Sequence, residues 1–263
     1  MTLQRIVFAN LFASMFVVVT LAGQSAQLGY SDTPMLPGGK WHVHDGMRPQ
    51  PTIVTPGPAG EPVPAPADAV VLFDGRDLSK WQTPDGKLAG WRVVNGAMVV
   101  QPMSGDVVSK DTFGDVQLHV EWATPDKPEG NGQERGNSGV FLMERYEVQV
   151  LDSFKNQTYP DGQAGAIYGQ FPPLVNASRG PGVWQTYDIV FIAPRFADGK
   201  LVSPARATVF HNNVLVQHDV TLIGQTVHRA LGTYEPHADR LPIKLQDHGN
   251  PTKFRNIWAR RLQ

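Results

Sequence analysis

The chain contains no cysteine. That excludes disulfides, thiolate nucleophiles and cysteine-ligated zinc together. An exported form of such a protein would have to stand on its hydrophobic core alone. Charge of one sign is equally scarce. The 23 Lys and Arg set against 24 Asp and Glu leave a formal net charge of −1, so no electrostatic footprint points to nucleic acid or to an anionic membrane surface. Helical periodicity is missing as well, since no segment keeps a 3.6-residue apolar repeat over three turns. Beyond the N-terminus no run is apolar enough to cross a bilayer.

What is abundant is turn-forming sequence. The 26 Gly and 22 Pro in 263 residues suit many short strands joined by tight turns, and the length predicts one or at most two domains. Met1 to Arg5 is a short basic start, Ile6 to Ala22 an apolar run, and Ala22-Gly23-Gln24-Ser25-Ala26 a small-residue stretch. That order predicts a secretory signal peptide over residues 1–26 and a periplasmic or extracellular location. Residues 27–67 carry prolines from Pro34 to Pro66 at a density that forbids helix and discourages a central strand. They read as a tether, extended or loosely packed on the domain. Its His42 and His44 could ligate a metal, but read as an incidental pair.

From residue 68 to 263 the pattern is that of strands. Val70 to Phe73 is a short apolar strand. Asn95-Gly96 and Asn212-Asn213 mark two tight hairpins, because these residues tolerate positive φ. Gln117 to Trp122, Ser138 to Met143, Tyr146 to Leu151, Trp184 to Ile192, Ile243 to His248 and Phe254 to Leu262 read as further strands. The fold class expected is all-β, a sandwich or barrel of antiparallel strands.

Alternation then sorts side chains by face. Leu118, Val120 and Trp122 point inward, and Gln117, His119 and Glu121 outward. Val148 and Val150 point inward against outward Glu147 and Gln149. Lys244, Gln246 and His248 share an outward face, as do Asn137, Gly139 and Phe141. A merely solvated face is usually rich in Thr, Lys, Arg and Ser. This set offers carboxylates, planar amides, imidazoles and an aromatic ring, with a glycine that leaves room above the sheet. Amides and carboxylates bond vicinal hydroxyls at two points, and rings stack on sugars. The set therefore predicts a carbohydrate cleft, provided that these strands are neighbours in one sheet.

Glu147-Val148-Gln149-Val150-Leu151-Asp152 resembles the Glu-x-Asp-x-x-Glu strand of the laminarinase-like glucanases, which work with two carboxyls flanking the bond. Gln149 stands in place of the middle acid, and Asp152 is one methylene short at the last position. A wider resemblance runs in order from Val70 to Leu262. It rests on Leu72-Phe73-Asp74-Gly75, Trp91 with Asn95-Gly96, Glu121-Trp122, and Gly136-Asn137-Ser138-Gly139-Val140-Phe141. It continues through Tyr146 to Asp152, Gly165-Ala166-Ile167-Tyr168, Trp184-Gln185-Thr186-Tyr187, Leu245-Gln246-Asp247-His248-Gly249 and Phe254-Arg255-Asn256-Ile257. These segments resemble the 3-keto-disaccharide hydrolase domain family.

The resemblance implies a concanavalin A-like jelly roll of two antiparallel sheets, usually exported, with a cleft across the concave sheet. It also implies a small carbohydrate substrate that a separate sugar 3-oxidoreductase has already oxidised at C3. A C3 ketone acidifies the proton on C2; a base removes it, the C1 group leaves, and water can add back. Such a site needs a base, a group that stabilises the enolate oxygen, and an acid for the leaving group. His248 is a candidate base or acid, Glu147 an alternative base, and Glu121 an acid or orienting partner. Lys244 could stabilise the enolate oxygen, as could a divalent cation; the sequence requires no cofactor. Asn137, Gln149, Gln246, His119 and Asp152 are candidates for holding the sugar, with Tyr168 at the rim. Asp247 reads as structural. Two other readings stay open, a non-catalytic glycan-binding module and a retaining β-glucanase using Glu147 and Asp152.

Overall fold

The structure, a computed structural model, describes residues 28–262. The predicted signal peptide lies outside the described residues. Among those described, two single-turn 3₁₀ segments, Gly132–Glu134 and Pro160–Gly162, are the only helix; the rest is strand and loop.

Two antiparallel sheets face each other across one core. The larger has eight strands. Its order is Val214–Thr221, Arg206–His211, Gln185–Ile192, Val116–Ala123, Lys253–Arg261, Ala97–Val99 and Arg92–Val94, with Val70–Phe73 also paired to Lys253–Arg261. The smaller has five, in the order Trp81–Gln82, Val107–Phe113, Leu241–Leu245, Ser138–Leu142 and Tyr146–Val150. This is the expected β-sandwich jelly roll. Both hairpins form as their dipeptides predict, with φ of 50° and 75° at Asn95 and Gly96 and 53° and 64° at Asn212 and Asn213. The strand Val107–Phe113 is not legible in the sequence. Its alternation breaks at Ser109, which is wholly buried because its hydroxyl donates to Asp111 O and accepts from Ile243 N.

The inward residues are those that alternation selects. Leu118, Val120 and Trp122 from the larger sheet meet Val140, Leu142, Val148, Val150, Ile243 and Leu245 from the smaller, all essentially solvent-free. Truncating a side chain such as Trp122 to Ala there would cost about 3–5 kcal/mol.

The Pro-rich segment is part of this unit. Residues 28–45 double back on themselves through bridges Gly29–Asp45 and Met35–His42, burying Val43 and His44 completely. Gly29 is required at its place, because φ is +79° and a Cβ would collide with His44 O. Thr52–Ile53 pairs in parallel with Val175–Asn176. Further on, the chain crosses the outer face of the larger sheet. Arg179 donates to Gly57 O and Pro58 O, and Val63 O accepts from Asn256 Nδ2 and Trp258 Nε1.

Candidate functional site

The outer face of the smaller sheet carries two rows of side chains. The register pairs Lys244 with Phe141 and Phe141 with Glu147. One step along, Gly139 pairs with Gln149, and Gln246 N donates to Gly139 O. The rows Lys244–Phe141–Glu147 and Gln246–Gly139–Gln149 thus lie side by side. Above them opens a cleft of about 410 Å³, with Asn137, Phe141, Glu147, Gln149, Gln246 and His248 on the sheet side. Tyr30, Gln133, Tyr159, Tyr168, Thr226 and His228 complete its lining.

Glu147 is the centre of this face. Its carboxyl lies across Gly139, where any Cβ would collide with Glu147 Oε1; the glycine exists to admit it. The residue is only 4% exposed. Burial, opposed by Lys244 and reinforced by Asp106, pushes its pKa up to about 8. One end of the Gln149 carboxamide lies 2.9 Å from Glu147 Oε1 and 3.1 Å from Ser138 O, and an amide nitrogen at that end satisfies both acceptors. Lys244 Nζ lies 3.3 Å from Asp106 and 4.0 Å from the Phe141 ring centre. It therefore acts on the cleft through its charge rather than by facing into it. Asn137 Nδ2 donates to Gln133 O, which fixes that amide at the cleft wall.

The facing wall comes from loops. The Tyr159 and Tyr168 hydroxyls are 2.8 Å apart, and Tyr168 OH lies 3.1 Å from His228 Nδ1. Burial raises both phenols, so they stay protonated. Behind them sits His44, its ring 4.3 Å from that of Tyr159, 4.6 Å from Tyr168 and 5.4 Å from His228. Asp161 anchors it by accepting from the His44 backbone N–H at 2.9 Å and approaching Nδ1 at 3.3 Å. His44 Nε2 is buried without a partner.

Seven of the ten residues selected from sequence are on this side of the molecule: Glu147, Gln149, Asn137, Gln246, His248 and Tyr168 in the cleft lining, and Lys244 beside it. Three are not. Glu121 and His119 belong to the larger sheet, so their outward face is the opposite side of the sandwich. Glu121, 2% exposed, accepts from Val63 N, Asn256 Nδ2 and Arg255 Nε. Burial alone would raise its pKa, but hydrogen bonds from His119, Asn256 and Arg255 outweigh that and hold it at about 2. His119 Nδ1 is 2.7 Å from Asp188, and its ring stacks on Trp258. Burial disfavours its charge, yet Asp188 and Glu121 together raise its pKa to about 9. These groups are paired ions on the face opposite the Glu147 cleft, beside a separate cavity of about 150 Å³ under the Pro-rich crossing. Asp152 lines a separate small cavity, with Arg135 Nε at 2.7 Å. Glu147 and Asp152 therefore do not flank one bond, as a retaining glucanase would require. Asp247 is structural, accepting from Gly105 N and Gly249 N.

Tyr30, Gln133, Tyr159, Thr226 and His228 escape sequence reasoning because they lie on loops or, for Gln133, in a single 3₁₀ turn, and carry no alternation. Among the described residues, no group of three or more His, Asp or Glu converges to hold a metal ion.

No curated protein matches the chain. Among solved structures, a Parabacteroides distasonis protein described as a candidate glycosyl hydrolase is 42% identical, with a TM-score of 0.74 over 87% of this chain and 100% of that one. Two other proteins of that organism, described likewise, share the fold at 17% and 20% identity. Their TM-scores are 0.55 and 0.53, each over 74% of this chain and over 94% and 99% of their own. Residues 68–260 match the sequence profile of 3-keto-alpha-glucoside-1,2-lyase-like domains, and this chain belongs to that family.

Proposed function

We propose that the protein is a carbohydrate-active enzyme that cleaves glycosides carrying a C3 ketone. The observation that carries this reading is Glu147, a buried carboxyl of raised pKa on the floor of a cleft otherwise lined by amides and rings. General bases work best when their pKa lies near the working pH. Glu147 takes the proton from C2, and the C2–H electron pair moves toward the C3 carbonyl to give the enolate. As the enolate collapses, C1=C2 forms and the C1–O bond breaks, and the leaving oxygen takes the proton that Glu147 removed from C2. Addition of water across the double bond yields net hydrolysis. The amides of Asn137, Gln149 and Gln246 hold ring hydroxyls, and Phe141 offers a ring for the sugar face. His248, exposed at the mouth, is placed to exchange protons with solvent. The ketone would be supplied by a separate sugar 3-oxidoreductase, and the reaction would run outside the cytoplasm.

The test is incubation with a 4-nitrophenyl 3-keto-glucoside and with its unoxidised parent. Nitrophenol release from the ketone alone is the expected result. No release from either, with tight binding of unoxidised glycans, would make the cleft a non-catalytic glycan-binding module instead.

A further inference from the structure

Proton removal by Glu147 leaves the enolate oxygen without a partner. Lys244, the sequence candidate, is held by Asp106 and Phe141. We infer that His228, as a neutral imidazole with its proton on Nε2, is the hydrogen-bond donor to that oxygen, and that Tyr168 and Tyr159 lock it in this tautomer. The inference rests on the proposed 3-keto-glycoside chemistry.

Counting protons along the wall gives the tautomer. Tyr159 is buried, and among the described residues its hydroxyl has one hydrogen-bond partner, Tyr168 OH at 2.8 Å. Tyr168 OH has two, Tyr159 and His228 Nδ1. If Tyr159 donates to Tyr168 and Tyr168 donates to Nδ1, every proton has an acceptor. The reverse direction turns the Tyr159 proton away from the one polar side chain that the described residues place beside it, forgoing a hydrogen bond worth about 0.5–1.5 kcal/mol. Nδ1 is therefore the acceptor, and the single proton of a neutral ring sits on Nε2.

The surroundings keep that ring neutral. Partial burial lowers its pKa first, and interaction with His44, Arg229 and His248 lowers it further. A neutral imidazole N–H is a suitable electrophile for an enolate because it stabilises the charge without surrendering its proton.

The ring is also held in place from outside the family-matched region. Tyr30 meets it edge-on at 6.0 Å, and Arg229 covers Tyr30 at 4.2 Å. Asp32 then takes Arg229 Nη2 on both carboxylate oxygens, at 2.8 and 2.7 Å. His44 backs the assembly from behind. The residues that upstream sequence contributes thus pack around the donor at the cleft wall.

Exchange of the C2 proton in D₂O isolates enolate formation from departure of the C1 group, and it can be followed on the same 3-keto-glucoside. His228→Ala should slow exchange at least about 100-fold, the usual loss for one oxyanion donor. His228→Gln, whose amide can still donate, should recover part of it. Tyr168→Phe should lose about tenfold with KM little changed. Nitrogen NMR of the wild-type protein should show His228 protonated on Nε2. Protonation on Nδ1, or normal exchange in His228→Ala, would overturn the inference. If exchange persists and only release of the C1 group fails, His228 is the leaving-group acid and the inference is equally wrong. A wild-type protein that neither exchanges nor releases would instead defeat the parent reading.

Discussion

Each sheet of the sandwich turns a polar face outward, and the two faces contain nearly the same residue types. Glu121, His119, Arg255 and Asn256 lie on the larger sheet; Glu147, His248, Lys244 and Gln149 lie on the smaller one. They differ in pairing. On the larger sheet the carboxylate has Arg255, Asn256 and a backbone N–H from the Pro-rich crossing, and its pKa falls to about 2. On the smaller sheet the carboxyl is buried beneath open space, and its pKa rises to about 8. Residue type alone does not make a site. A satisfied ion stabilises the fold, whereas a poorly solvated one is held ready to gain or lose a proton.

The largest effect expected from breaking this contrast is at Glu147. Glu147→Gln should lower turnover of a 3-keto-glucoside by about 10²–10⁴-fold. It should also stabilise the protein at high pH. The fold prefers the protonated acid, so wild-type stability is intact below pH about 4.5 and is eroded as pH rises through about 8. Denaturant melts should show a gap in favour of the variant that opens over that window. It should reach on the order of 3–5 kcal/mol. Equal stability of the two proteins at pH 9 would contradict the burial argument.

Glu121→Gln should do the reverse. Its depressed pKa contributes stability that is complete above pH about 4.5 and lost as pH falls through about 2. The variant should lose about 2–3 kcal/mol at pH 7, keep its turnover, and match wild type near pH 2. A lost activity would put Glu121 back in the chemistry. A smaller effect is expected from Gly139→Ala, where the added methyl meets the Glu147 carboxyl and the Phe141 ring. Displacing the base should cost turnover roughly tenfold with a melting temperature only slightly reduced. Asp152→Asn should be mildest. Burial raises the Asp152 pKa despite Arg135, so a neutral amide that still accepts from Arg135 should shift stability by less than about 1 kcal/mol and leave kcat unchanged, a result that kinetics and melting can check on one sample.

Much of the fold was legible locally. Alternation in Gln117 to Trp122 and Tyr146 to Val150 correctly sorted inward from outward, and Asn95-Gly96 and Asn212-Asn213 correctly marked hairpins. Alternation could not say which outward face was which. Glu121 and Glu147 have the same parity and opposite fates, because period two reports only in or out and a sandwich has two outsides. The Val107–Phe113 strand was missed where Ser109 interrupts the pattern. The loop wall of Tyr159, Tyr168 and His228 carries no periodic signal, because loops have no period; only Tyr168 is marked in the sequence, through the family resemblance.

By itself, then, the sequence determined an all-β chain, its turns, its core face and a stock of carboxylates, amides and imidazoles suited to sugars. Those follow from local sterics and from side-chain parity. Strand order decided the rest. It set Lys244 against Phe141 and Gln246 beside Gly139, it sent Glu121 and His119 to the far side, and it folded residues 28–54 in behind the Tyr159–Tyr168–His228 wall. Pairing between segments more than a hundred residues apart is set by the packing of the whole core, and no stretch of sequence carries it alone.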